Sequence, residues 1–153
     1  MSYIHIEIKK SDQVNGTPAT VILTEPIVAS HLTLEGYSVT FSGQNNSHPG
    51  SGPGDNTQSC IRVNMPLSER QIVTWVSRQD NGPRNNLVLP IESDRASTVH
   101  MNVKIPVGVQ NIHIPQSFHI HVKNAGDVAL ASEDANLDWV VHLYFSFKRA
   151  ALF

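Results

Sequence analysis

The sequence is short of almost everything that would announce an activity. It has one cysteine, Cys60, so no internal disulfide can form, which suits a chain made in a reducing compartment. No apolar run is long enough to span a bilayer, and the first residues, MSYIHIEIKK, alternate rather than form the apolar block of a secretion signal. Charged residues make up only 16 % of the 153, below the ~25 % of an ordinary soluble domain. The net charge of -2, with Lys and Arg scattered, leaves no footprint for nucleic acid or for an acidic membrane. There is no Gly-x-Ser-x-Gly elbow and no phosphate-binding glycine loop, since Gly50, Gly52 and Gly54 do not stand between a strand and a helix. The sequon Asn45-Asn46-Ser47 carries no weight without secretion. These absences argue against an enzyme.

What is present is alternation of period two. Ile4, Ile6 and Ile8 oppose His5, Glu7 and Lys9, and Tyr37, Val39 and Phe41 oppose Ser38, Thr40 and Ser42. Ile61, Val63 and Met65 oppose Arg62 and Asn64; Phe118, Ile120 and Val122 oppose His119, His121 and Lys123. Val99, Met101, Val103 and Ile105 form one face of a further strand, opposite His100, Asn102 and Lys104. Leu87 to Ile91 is a shorter apolar run, and Val21 to Leu34 holds two strands interrupted near Pro26. The best helix candidate, residues 67–79, is undercut by Ile72, Val73, Thr74, Trp75 and Val76, which favour a strand. Turn chemistry at Asn15-Gly16, Asn81-Gly82-Pro83 and Ala125-Gly126-Asp127 separates roughly eight to ten strands. Many short strands with one apolar face each predict an all-β, antiparallel β-sandwich of two sheets in a single domain, residues 1–153. Residues 44–57, nearly devoid of core-forming side chains, are expected to be an exposed loop.

The last apolar segment, "WVVHLYFSF", sets Trp139, Val141, Leu143, Phe145 and Phe147 on one face. Val140, His142, Tyr144 and Ser146 take the other. Eight histidines invite a metal reading, because His119 and His121 share a strand face and His142 offers a third ligand. No carboxylate or cysteine sits beside that pair, and Lys123 shares its face, so neither a metal nor a cofactor is expected. The acidic residues Glu133, Asp134 and Asp138 lack the dense Asp/Asn/Gly pattern of a calcium loop. Cys60 reads as a small half-buried residue rather than a reactive thiol. Twelve Asn and few Lys or Glu fit a neutral loop surface or an extensively contacted one equally well.

The order of these segments carries a resemblance. YIHIEI, then VILTEPIVASHLTLEGYSVTFS and a loop, then IRVNMP, HMNVKIPVGVQ, PQSFHIHVKNAGDVA and a closing LDWVVHLYFSF follow one another. This order is similar to that of the single jelly-roll structural proteins of double-stranded DNA viruses. It particularly resembles that of the penton-type minor capsid proteins of virophages and polinton-like elements. The resemblance implies a jelly roll of two four-stranded sheets with the last strand running centrally beside the first. It implies a subunit of a virion that assembles about a symmetry axis, a homopentamer before a homotrimer, against neighbouring capsid proteins. The family's pentons often carry an extra domain, for which this chain has no length. On this reading Val140, His142 and Tyr144 are subunit-interface residues, and the protein is made in the host cell without a secretion signal. The alternative is a TNF-like or lectin-like trimeric jelly-roll module that binds a receptor or a glycan.

Overall fold

The computed structural model describes residues 1–43, 60–64, 86–92, 97–126, 128–130 and 137–149. The loop expected at 44–57, the segment 67–79 with Trp75, the turn at 81–83 and the acidic pair Glu133-Asp134 lie outside these residues. Eight strands form the described part: β1 (Ser2–Lys9), β2 (Ala19–Ile22), β3 (Ile27–Gly43), β4 (Cys60–Asn64), β5 (Asn86–Pro90), β6 (Ser97–Ile114), β7 (Ser117–Lys123) and β8 (Leu137–Arg149). Two short 3-10 turns, Lys10–Asp12 and Val14–Gly16, join β1 to β2. Asn15 and Gly16 there hold φ of 53° and 75°, the left-handed conformations for which an Asn-Gly pair is suited. No helix among the described residues is long and apolar enough to cross a membrane.

The strands pair into two four-stranded sheets, ordered β1-β8-β3-β6 and β2-β7-β4-β5, antiparallel throughout. The chain passes repeatedly from one sheet to the other, and its first strand lies beside its last. This is a single jelly roll. Strand β8 is interior, with β1 on one flank and β3 on the other, so its aromatic face is covered along its length. Trp139, Val141, Leu143, Phe145 and Phe147 are all buried in one core with Ile61, Val63, Leu87, Leu89, Ile120 and Val122 of the facing sheet. Tyr37 spans the sandwich, donating its hydroxyl hydrogen to the carbonyl oxygen of Pro90 at 2.5 Å.

Two departures from simple alternation follow from bulges. Residues 27–43 form one strand rather than separate pieces, and its inward positions change parity twice. Ala29 is buried, then Leu32 and Leu34, then Tyr37, Val39 and Phe41. The changes coincide with register shifts between Ala29 and His31 and between Leu34 and Gly36. The opposing stretch of β6 carries Asn102 and Lys104 at φ of 58° and 49°. That irregularity turns the strand over. Val99 and Met101, placed by alternation on the same face as Ile105, are 63 % and 57 % exposed, while Thr98 and Ile105 are buried. A bulge flips every side chain on one side of it.

Candidate functional site

The outer surface of the β1-β8-β3-β6 sheet is built in rows by the strand registers. His5, Tyr144, Gly36 and Met101 are neighbours across the four strands. Glu7, His142, Ser38 and Val99 form the next row, and Lys9, Val140, Thr40 and Ser97 the one after. The three residues picked out on the polar side of the last strand, Val140, His142 and Tyr144, therefore share this face, each half-buried.

The centre of the face is aromatic. The His5 ring lies 4.7 Å from Tyr144 at an interplanar angle of 6°, and 5.1 Å from His142 at 19°. Nε2 of His5 is 2.8 Å from Nδ1 of His142, so one ring supplies the N–H and the other the lone pair. Beyond Tyr144 the surface dips at Gly36, where a Cβ would come within 2.9 Å of both the Met101 sulfur and the His100 carbonyl oxygen. The absent side chain is what lets Met101 lie across β3. Tyr3, 73 % exposed, extends the same face at the outer edge. The charges nearby are engaged within the chain: Lys9 with Glu7 at 3.4 Å, and Glu35 accepting from the Ser146 hydroxyl at 2.6 Å. Exposed apolar and ring surface bordered by locally paired charge is suited to packing against another protein surface.

The histidine pair on β7 is elsewhere. His119 is exposed, with its Nδ1 3.3 Å from the Thr20 hydroxyl, and β7 belongs to the other sheet. His142 faces outward from the opposite side of the sandwich, so it does not complete a ligand set with His119 and His121. Among the described residues no three His, Cys, Asp or Glu side chains come close enough to hold a metal ion. Cys60 is half-buried, and burial pushes its thiol pKa up, only partly offset by the Arg62 charge. That disfavours the nucleophilic thiolate.

A concavity of about 410 Å³ is lined by residues of the two 3-10 turns together with Gln13, Leu130, Asp138 and Trp139. Its polar groups serve the fold. Lys10 donates to the carbonyl oxygen of Leu137 at 2.5 Å, and the Trp139 indole donates to that of Leu130 at 2.8 Å. Neither His5 nor Gly36 was expected as part of a site from the sequence. His5 was legible as an outward residue of the first strand, but its partnership with β8 depends on a pairing between the two ends of the chain. Compared with protein-family models and with curated protein sequences, the chain gives no match to either.

Proposed function

We propose that this protein is a structural subunit of a viral particle, a penton-type or minor capsid protein that assembles with copies of itself through the faces and sides of its jelly roll. The observation that carries the reading is the outer sheet face, where Tyr3, Val99 and Met101 stand exposed around the half-buried Val140, His142 and Tyr144. Large exposed apolar side chains on one sheet face are what a subunit contact needs and what a free monomer avoids. The single jelly roll with its last strand central agrees with the resemblance in segment order. The role requires no catalytic residue, metal or cofactor. Its partners are other copies, five in a ring before three, and neighbouring capsid proteins in the virion; nucleic acid is not contacted directly.

Size exclusion coupled to light scattering tests this. The wild-type protein should run as a closed homo-oligomer, and Tyr144→Asp, which sets a carboxylate among the rings, should lower the assembly state at micromolar concentration with an unchanged strand spectrum. A wild-type monomer at high concentration and physiological salt overturns the reading. A trimer moves it to the receptor- or glycan-binding class.

A further inference from the structure

We infer that the free edge of β1 is a second, two-fold contact, at which β1 of one copy pairs antiparallel with β1 of another to join two sheets into one. Among the described residues the two sheets have four edge strands, and three of them are poor templates. Strand β6 has register shifts, left-handed residues at Asn102 and Lys104, and Pro106. Strand β2 spans only Ala19–Ile22, and β5 ends at Pro90. Short strands, bulges, an edge lysine and proline are the devices that keep an edge from pairing. Strand β1 has none of them before its end. It pairs with β8 from Ser2 to Lys9 without a shift in register, and no other described strand covers its far side. Asp12, whose Oδ2 accepts the Lys9 backbone N–H at 2.8 Å, marks where the free edge stops.

The outward side chains select the partner and the register. Ile4, Ile6 and Ile8 must stay on the core side in both copies, so only residues of like parity can stand opposite one another. Pairing centred on Ile6 sets His5 against the partner's Glu7 and Tyr3 against the partner's Lys9, a basic group against an acidic one and an ammonium against a ring. It also brings the half-buried Ile4 beside the partner's Ile8. Centring on Glu7 opposes two carboxylates. Centring on His5 leaves Glu7 opposite Tyr3, and centring on Ile4 shortens the ladder. The strand is complementary to itself in one register, which is the requirement for an isologous contact with a second copy.

This contact runs along the backbone edge of β1, whose outward side chains Tyr3, His5 and Glu7 also lie on the face proposed for ring assembly, and a register-specific cross-link reads it out whatever the ring does. Two variants, each also carrying Cys60→Ser, bear His5→Cys or Glu7→Cys. Oxidation with diamide should join the mixture as a heterodimer several-fold more efficiently than either variant alone, because residue 5 then faces residue 7 of the other copy. Glu7→Lys in an otherwise wild-type chain should weaken association while the strand spectrum is kept. Efficient cross-linking of the His5→Cys variant with itself means the His5-centred register and overturns the one assigned. No cross-link in any mixture, with the ring intact by light scattering, overturns the edge contact and leaves the ring reading standing. Cross-linking with a purely dimeric mass supports the edge contact and removes the ring.

Discussion

Tyr37 shows how one side chain ties the two sheets and sets an alkaline limit on stability. It is 1 % exposed, stacks on His100 at 5.2 Å, and gives its hydroxyl hydrogen to Pro90 on the facing sheet. Burial, with a smaller contribution from the neighbouring Cys60, pushes its pKa up to about 12. A phenolate also cannot donate to a carbonyl oxygen, so ionisation and this hydrogen bond exclude one another. An unfolded tyrosine ionises near pH ~10. The folded value is the higher one, so the stabilisation is complete below about pH 10 and is lost as pH rises towards about 12. Tyr37→Phe should cost about 1–2 kcal/mol at neutral pH, since the Pro90 carbonyl loses its partner. It should also flatten the alkaline loss. Urea midpoints at pH 8 and near pH 11 check both, and an equal alkaline drop in wild type and variant would rule out Tyr37 as its source.

At the scale of elements, the two sheets are completed by groups that alternation does not reveal. Gln13, between the two 3-10 turns, is buried, and its side-chain amide works as a piece of strand beside β7. Its Nε2 donates to the Val122 carbonyl oxygen at 3.1 Å, and its Oε1 accepts the Val122 N–H at 2.6 Å. Strand β2 is too short to reach this far, since its pairing with β7 ends at Ala19 and Ile120. Gln13→Ala should therefore cost about 1–2 kcal/mol by taking the partner from the Val122 N–H, while the Val122 carbonyl oxygen still accepts from the Leu130 N–H at 3.1 Å, and should speed amide exchange at Val122. Exchange unchanged at Val122 would mean that other groups protect it. The same contrast explains what the sequence made legible. Wherever a strand was regular, as in β1, β7 and β8, period-two alternation identified its core face residue by residue, and so Val140, His142 and Tyr144 were placed together on an outer face. Where the parity changes within a strand, local pattern misleads. Nothing near Val99 or Met101 announces that Asn102 and Lys104 take left-handed conformations, yet those two residues send both side chains outward. The His5 stack and the Met101 contact over Gly36 depend on pairings between distant parts of the chain, to which a local window is blind.

For the whole molecule, the decisive fact is that the last strand is interior and the first strand rests on it. Phe145, 1 % exposed, stands opposite Ile4 on one side and Leu34 on the other, and its ring belongs to the core shared with β4, β5 and β7. Neither sheet can bury its apolar face without the other, and the first sheet cannot close until residues near position 145 meet residues near position 4. So many non-local pairings place folding in the millisecond-to-second range of all-β sandwiches rather than in that of helical bundles. They also make unfolding a single event, because no sub-assembly keeps a covered core. Phe145→Ala should remove about 3–5 kcal/mol, the usual cost of emptying an aromatic site in a close-packed interior. The loss should register as one displaced transition, with far- and near-ultraviolet circular dichroism moving together and the slope on denaturant retained. Two resolved transitions, one insensitive to Phe145→Ala, would show that the β2-β7-β4-β5 sheet holds its fold alone. That outcome would contradict a core in which β8 is the strand on which both sheets depend.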